Sequence, residues 1–245
     1  MIRHEVHVDV GVVPVRIAVP RQTRPEAVQN RSMATKLLFA ILAVLPLFAV
    51  DATFPDPALD VKPTAAKQTV VLAGGCFWCV EAVFEIMEGV DDVISGYSGD
   101  TKETAKYDIV SSGGTKHAES VLITFDPAKT SYGQLLKIFF SVAHDPTSLN
   151  RQGGDVGPQY RSAIFYTNEE QKKVTEAYIR QLNDAHVFKK PIVTQVAPLD
   201  KFYTAETYHQ NYSVQNRANP YIINVSDPKV EKLKKLFPGC VRKRK

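Results

Sequence analysis

A change of hydrophobic period at two adjacent glycines most constrains how this 245-residue chain can fold. Residues 68–73 (QTVVLA) end in an apolar run of the kind that is typical of a short buried strand. Gly74 and Gly75 interrupt this run, and residues 76–88 then carry apolar side chains at helical spacing. The segment therefore predicts a strand, a tight turn and a helix, with Cys76 at the amino-terminal end of the helix.

The remaining pattern predicts an α+β domain. Strands are expected at 90–97, 118–125, 162–166 and 192–197, and helices at 131–143 and 168–183, with Ser131 or Thr130 and Asn168 as caps. Two short helices are expected to finish the chain. The order of the first six elements matches the split βαβ, ferredoxin-like plan, a two-layer α/β sandwich. The polar segments 98–117 and 144–160 are expected to be long loops, and loops of this length are usually functional.

The first 52 residues predict an export signal. Residues 37–50 are an unbroken apolar run, shorter than the ~20 residues that span a bilayer and suited to the core of a signal peptide. Because such a core rarely begins so far into a chain, we expect a start at Met33, with 1–32 as an extension, 33–52 as the signal segment and cleavage after Ala52. The domain would then be periplasmic, or anchored to the membrane outside the cytoplasm if the segment is not cleaved. If the run is not a signal, the protein is cytoplasmic.

Residues 53–67, rich in Pro, Ala, Asp and Lys, predict a linker to a catalytic domain at 68–225. Residues 226–245 predict a terminal helix and a solvated basic tail. Arg242 to Lys245 supply four positive charges, as many as the whole formal net charge of +4, and residues 53–241 are slightly acidic. This distribution excludes a nucleic-acid-binding face.

The cysteine turn itself suggests thiol chemistry. Free N–H groups at a helix amino terminus favour an anion, and the thiolate is the reactive form of cysteine. The spacing of Cys76 and Cys79 admits three interpretations: half of a zinc site, a thioredoxin-type disulfide pair, or a nucleophile beside an aromatic wall. No second pair of zinc ligands is recognisable, and Phe77 and Trp78 replace the turn residue typical of thioredoxin sites. We therefore predict no metal site and favour the nucleophile.

A series of motifs resembles the A-type peptide methionine sulfoxide reductases over residues 68–221. They are GCFW at 75–78, GYSG at 96–99, HAE at 117–119, HDPT at 144–147, NRQGGDVGPQYRS at 150–162, FYTAE at 202–206 and YHQNY at 208–212. Lys116 departs from the glycine that commonly precedes the HAE motif. Residues 222–245 lack the Gly-Tyr-Cys ending of some members, which leaves the recycling cysteine open.

The resemblance implies that the protein reduces the S epimer of methionine sulfoxide, in proteins and as the free amino acid. Cys76 would attack the sulfoxide sulfur, and Glu119 would protonate the oxygen if burial keeps the carboxyl protonated. Phe77 and Trp78 would form an apolar wall for the methyl group. The remaining residues that the resemblance implies in the site are Tyr97, Asp155, Tyr160 and Tyr212. We expect His117, His144 and His209 to support loops rather than carry protons.

The sulfenic acid formed on Cys76 would condense with a second thiol to a disulfide. Cys79 is favoured by its proximity in sequence, and Cys240 remains possible because a flexible Gly-containing tail could carry it to the site. A thioredoxin-like protein, or dithiothreitol in vitro, would reduce the disulfide, and no bound cofactor is expected. The resemblance favours a monomer. Two alternatives stay open: a thiol–disulfide oxidoreductase that uses both cysteines, and a membrane-tethered module that binds methionine-rich partners without turnover.

Overall fold

Eight strands are present in the computed structural model, which describes residues 54–243. They are β1 (Gln68–Gly74), β2 (Val90–Ser98), β3 (Ala118–Phe125), β4 (Arg151–Gln152), β5 (Asp155–Val156), β6 (Ser162–Tyr166), β7 (Gln195–Pro198) and β8 (Phe202–Thr204). Strands β4 and β5 pair with each other, and the others form one sheet in the order β7-β6-β1-β3-β2-β8. The central strands β6-β1-β3-β2 are antiparallel and have the ferredoxin-like order, which confirms the predicted fold class.

The helices are α1 (Phe77–Glu85), α2 (Tyr107–Val110), α3 (Tyr132–Ile138), α4 (Glu169–Asp184), α5 (Tyr212–Gln215) and α6 (Asp227–Leu236). The predicted caps of α3 and α4 are present: the side chain of Ser131 accepts from the N–H of Gln134, and that of Asn168 from the N–H of Gln171. A π-helical turn at Phe139–Ala143 continues α3. The helix predicted at 131–143 therefore consists of two segments of different geometry.

The core lies between the sheet and its helices. Along β1, Val70 and Leu72 belong to the large cluster that α1, α3 and α4 cover, whereas Val71 and Ala73 belong to a smaller cluster. Successive side chains of a strand point to opposite faces, so both faces of β1 are buried. A strand with both faces covered needs an uninterrupted apolar sequence, and this explains the apolar run at 70–73.

The two predicted loops contain short elements that the sequence pattern does not reveal. Segment 98–117 includes a 3₁₀ turn at Lys102–Thr104 and the helix α2, and segment 144–160 includes the β4–β5 hairpin. Strand β8 was not predicted, and β7 begins at Gln195 rather than at 192. These elements are too short to show a period of their own, and β7 and β8 are defined by pairing with β6 and β2.

The segment predicted to be a linker is packed against the domain. Asp60 accepts hydrogen bonds from the hydroxyl of Ser131 at 2.5 Å and from the N–H of Gly133 at 2.7 Å, at the start of α3. The hydroxyl of Tyr178 donates to the carbonyl of Pro55 at 2.7 Å. Residues 54–67 therefore follow the helical surface and do not act as a free tether, although they form no helix or strand.

The expected solvated tail is also held in place as far as residue 243. Helix α6 contributes the buried Leu233 to the core, and Val241 forms an isolated antiparallel bridge with Met87. The N–H of Glu88 donates to the carbonyl of Cys240 at 2.8 Å, and the N–H of Arg242 donates to that of Ile86 at 2.8 Å. The composition of a segment does not show which backbone hydrogen bonds it forms. A run of basic residues therefore predicts a solvated end even where, as here, the backbone is bonded to the domain.

The predicted export signal and start at Met33 lie outside the described residues, so they stay predictions. Between residues 54 and 243, no helix has both the length and the apolar character that crossing a membrane requires.

We predict that Gly75→Ala destabilises the domain. The φ of Gly75 is +92°, and a Cβ there would lie 2.5 Å from Cγ of Gln152. Strain of this kind costs about 1–3 kcal/mol, which thermal or urea unfolding measures. Gly239→Ala is the matched control, because a Cβ at Gly239 meets nothing within 4 Å. Equal stability of the two variants would contradict the prediction.

Candidate active site

Cys76 lies between the end of β1 and the first residue of α1, with 8% of its surface exposed. Its carbonyl accepts the N–H of Cys79 at 3.1 Å, which begins the helical hydrogen bonding. Gly75 makes the turn possible, because its φ of +92° lies in the region that favours glycine. The turn thus places the Cys76 thiol at the amino terminus of α1, as the sequence predicts.

Glu119 comes to the same point from β3. Its Oε2 accepts the N–H of Phe77 at 3.1 Å, and the residue is 1% exposed. Burial raises the pKa of Glu119 to about 8, against the opposing effect of this hydrogen bond, and the nearby charge of Asp155 raises the pKa further. The carboxyl group therefore holds a proton at neutral pH beside the thiol of Cys76.

A cavity of about 210 Å³ opens in front of the thiol and the carboxyl. Its lining residues are Cys76, Phe77, Trp78, Tyr107, Glu119, Asp155, Tyr160 and Tyr221. Burial raises the pKa of Tyr107 to about 12 and also raises those of Tyr160 and Tyr221, so all three phenols keep their protons at neutral pH. The cavity combines a nucleophile, an acid, hydroxyl donors and an aromatic wall.

The aromatic wall is held by contacts from the carboxyl-terminal part of the chain. The rings of Trp78 and Tyr212 are stacked with centroids 3.8 Å apart and an angle of 9° between their planes. The indole N–H of Trp78 donates to Nδ1 of His209 at 3.1 Å. Tyr212 therefore supports the wall from behind, and it is not among the lining residues of the cavity.

A buried carboxyl group of α1 fixes the position of Tyr212. Oε1 of Glu81 accepts the N–H of Asn211 at 3.0 Å, and Asn211 has a left-handed φ of 55°. Burial raises the pKa of Glu81 to about 7. The hydroxyl of Ser213 donates to the carbonyl of Trp78 at 3.2 Å on the other side of Tyr212. Both flanks of Tyr212 are thus bonded to α1.

The structure does not place Tyr97 in the cavity lining, in contrast to the prediction. Tyr97 is fully buried, and its hydroxyl donates to Oε2 of Glu206 at 2.9 Å. Oε1 of Glu206 accepts the N–H of Tyr107 at 2.9 Å, so Tyr97 helps to hold the residue that does line the cavity. Tyr97 lies on a regular strand, whose register directs its side chain into the core.

The sequence reasoning missed Tyr107 and Tyr221. Tyr107 begins α2 within a segment that was expected to be a loop, and Tyr221 lies at the edge of the resembling region. The hydroxyl of Tyr221 donates to Oδ2 of Asp155 at 2.5 Å and lies 3.8 Å from Sγ of Cys79. An aromatic residue inside a Gly-, Ser- and Thr-rich segment was the available signal for Tyr107.

Cys79 lies one helical turn after Cys76 and is completely buried. A hydrogen bond from the thiol of Cys76 lowers the pKa of Cys79 to about 7, whereas burial raises the pKa of Cys76. The pair therefore loses its first proton near neutral pH, and the negative charge is shared across that hydrogen bond. All three cysteines are free thiols.

Cys240 lies at the opposite end of α1 from Cys76 and is held there by hydrogen bonds. Its carbonyl accepts the N–H of Glu88, and its Sγ accepts from Nε2 of Gln134 at 3.3 Å. Helix α1 has nine residues and separates the two ends by about 13 Å at 1.5 Å per residue. A disulfide needs Cα atoms within about 7 Å, so Cys240 is too far from Cys76 to pair with it in this arrangement, in which hydrogen bonds hold the tail that was expected to be flexible.

The three histidines that were expected to support loops are engaged with the framework. One nitrogen of His117 bonds to the carbonyl of Thr101 at 2.9 Å. His144 lies between the carbonyl of Phe139 and the hydroxyl of Ser162, and burial lowers its pKa to about 3. Within residues 54–243, no three His, Cys, Asp or Glu side chains group closely enough to hold a metal ion.

Comparison with known proteins gives one consistent result. The family model for peptide methionine sulfoxide reductase matches residues 68–239. Peptide methionine sulfoxide reductase MsrA 2 of Synechocystis is 54% identical over 187 residues, which is 75% of this chain and 87% of that protein. Reduced Mxr1 of Saccharomyces cerevisiae is similar in structure, with a TM-score of 0.57, 28% identity and coverage of 66% of this chain and 92% of that one. Methionine sulfoxide reductase A of Corynebacterium diphtheriae gives a TM-score of 0.56 and 29% identity over 67% of this chain and 84% of its own.

Proposed function

The chain belongs to the peptide methionine sulfoxide reductase family, and we propose that Cys76 and Glu119 are the nucleophile and the acid of its reaction. The protein is an oxidoreductase that reduces methionine sulfoxide to methionine and so repairs oxidised proteins. Family membership decides against the two alternatives, a dedicated thiol–disulfide oxidoreductase and a binding module without turnover. Similarity to A-type enzymes supports the S epimer as substrate.

One observation carries the assignment of roles: Cys76 and a protonated, buried Glu119 meet in a cavity with an aromatic wall. The sulfur of Cys76 attacks the sulfoxide sulfur, and Glu119 protonates the oxygen as its bond to the methionine sulfur weakens. The oxygen ends on Cys76 as a sulfenic acid, and the methionine sulfur keeps the electron pair. Cys79, with a pKa of about 7, can accept the proton of Cys76 as the attack begins.

The phenols and the wall orient the substrate. Tyr107 and Tyr160 line the cavity and can donate to the sulfoxide oxygen, while Phe77 and Trp78 form the apolar surface that suits its methyl group. Tyr221 also lines the cavity, but its hydroxyl donates to Asp155 and has no second proton for the substrate. Tyr97 and Tyr212 act through Glu206 and Trp78, respectively, as positioning residues.

We further propose that Cys79 resolves the sulfenic acid. It lies beside Cys76, whereas the length of α1 separates Cys240 from the cavity. The Cys79 sulfur displaces the sulfenic oxygen as water and leaves a Cys76–Cys79 disulfide. A thioredoxin-like dithiol protein, or dithiothreitol in vitro, then returns both thiols. Export of the domain from the cytoplasm stays a prediction from the apolar run at 37–50.

The nucleophile assignment predicts complete loss of activity in Cys76→Ser. A peptide that contains methionine sulfoxide is incubated with dithiothreitol, and chromatography measures the thioether that forms. Cys240→Ser is the matched control and should convert the peptide like the wild type, because Cys240 lies at the far end of α1. Conversion of the sulfoxide peptide by Cys76→Ser would contradict the assignment of Cys76 as the nucleophile.

The acid assignment predicts how the single-turnover rate changes with pH. The wild-type rate should rise as the pair of thiols deprotonates near pH 7 and fall as Glu119 loses its proton through about pH 8. Glu119→Gln should lower the maximum by about 10²–10⁴-fold and remove the alkaline fall. Glu81→Gln, which alters the other buried carboxyl group near the wall, should keep the alkaline fall. An unchanged rate in Glu119→Gln rejects the acid role.

If Cys79 is the resolving cysteine, the variants Cys79→Ser and Cys240→Ser should behave differently during repeated turnover. Cys79→Ser should convert one equivalent of sulfoxide and then stop when thioredoxin is the reductant, because no disulfide can form. Cys240→Ser should continue to cycle. Mass spectrometry of the oxidised wild type should show a disulfide between Cys76 and Cys79. A disulfide that contains Cys240 would contradict this role.

A further inference from the structure

A second cavity, of about 670 Å³, reaches the same cysteine. It shares Cys76, Asp155 and Tyr221 with the substrate cavity, and α6 contributes Lys229 and Lys232 to its lining. Because the two lysines are three residues apart on a helix, they lie on one face of α6. We call this space the lysine cavity. Two openings therefore lead to Cys76, one lined by aromatic rings and the other by ammonium groups.

The lining of the lysine cavity contains two lysines and two aspartates, and among residues 54–243 only the lysines have no partner, so their ammonium groups can pair with an incoming anion. Neither lysine forms an ion pair with any residue between 54 and 243. The two carboxylates of the lining are already engaged: Asp155 accepts from Tyr221, and Asp145 accepts from the hydroxyls of Thr147 and Ser148, each at 2.7 Å. His144 also lines the cavity and is neutral, since burial lowers its pKa to about 3.

The exposure of the two sulfurs determines which one an external thiol can reach. Cys76 is 8% exposed and lines both cavities, whereas Cys79 is 0% exposed and lines neither. An attack on Cys76 would expel Cys79, and a thiol with a lowered pKa is the better leaving group. In the reduced protein a hydrogen bond from Cys76 is the largest of the effects that lower the pKa of Cys79; in the disulfide that proton is absent, and the positive charge of Lys229 still favours the departing Cys79 thiolate.

We propose that the lysine cavity is the entrance for the reductant, and that an anionic thiol attacks Cys76 there with Cys79 as the leaving group. The reductant's thiolate forms a bond to Sγ of Cys76, the bond to Sγ of Cys79 breaks, and the electron pair leaves with Cys79, which then takes up a proton. The second thiol of the reductant then attacks the reductant's first sulfur, which is bonded to Cys76 in the mixed disulfide. This attack releases Cys76 as a thiolate, which takes up a proton. The reductant is oxidised to a disulfide and the enzyme regains two thiols. The partner that fits is a dithiol protein with acidic residues around its reactive thiol.

The proposal rests on the Cys76–Cys79 disulfide of the proposed function, and a charge series of small thiols tests it separately. The oxidised enzyme is mixed with 2-mercaptoethanesulfonate, 2-mercaptoethanol or cysteamine at equal thiolate concentration, and the loss of the disulfide is followed by stopped flow. Electrostatic attraction should make the anionic thiol react about tenfold faster than the cationic one, and added salt should reduce the difference.

Variants in which the charge of one lysine is reversed test the same proposal. Lys232→Glu, and independently Lys229→Glu, should abolish or invert the preference for the anionic thiol. Lys173→Glu is the matched control, because it makes the same change in net charge at an exposed position of another helix, α4, outside the cavity lining, and it should keep the wild-type order. A wild type without preference, or the same order in all variants, overturns the proposal. If Lys232→Glu instead raises KM for an acidic sulfoxide peptide under saturating dithiothreitol and leaves the thiol order unchanged, the cavity serves the substrate and the proposal fails.

The attacked sulfur can be identified directly. Oxidised enzyme treated with 2-mercaptoethanesulfonate is quenched with iodoacetamide, and tandem mass spectrometry locates the two modifications. The mixed disulfide is expected on Cys76 and the alkyl group on Cys79, whereas the reverse pattern overturns the proposal. Failure of the proposed function would look different, because the starting protein would then contain no Cys76–Cys79 disulfide at all.

Discussion

The hydrogen bond from the N–H of Phe77 to Glu119 is the interaction on which the rest of the site depends. Strand β3 pairs with β1 as far as Leu72 and Val121, so Glu119 lies just beyond the last pair, next to the turn that carries Cys76. The bond orients the carboxyl group at the start of α1, and burial keeps it protonated near neutral pH because a buried charge is costly. Sheet register and burial together therefore place an acid beside a thiol.

Helix α1 organises the remainder of the site, and the carboxyl-terminal part of the chain is packed around it. Tyr212 stacks on Trp78, Glu81 holds the backbone of Asn211, and Tyr221 lies beside Cys79. The last described residues bond to the other end of the same helix. One nine-residue helix thus carries the thiols at its start and binds distant segments that complete the aromatic wall and the two openings.

The sequence predicted the fold and the centre of the site better than its periphery. The order of the long elements and the strand–glycine–helix turn were sufficient for the ferredoxin-like core and for Cys76, since each follows from a local hydrophobic period. Tyr97 and Tyr107 show where this reasoning fails. Both are tyrosines near motifs, but strand register buries the hydroxyl of Tyr97 against Glu206, whereas a four-residue helix turns Tyr107 into the cavity. A four-residue helix is too short to show a hydrophobic period in the sequence.

The sequence by itself determined the class of fold and the position of Cys76 at the start of a helix, because period and glycine positions are local properties, and its resemblance to a family pointed to Glu119. Only the tertiary structure decided between Cys79 and Cys240 as the neighbour of Cys76, since the distance across α1 and the backbone bonds of the last residues are not encoded in spacing along the chain. It also decided that Cys76 faces two cavities, one lined by aromatic rings and the other in part by lysine side chains. The physical reason is the same in both cases: packing brings together residues that are far apart in the chain, and their mutual distances set both reactivity and access.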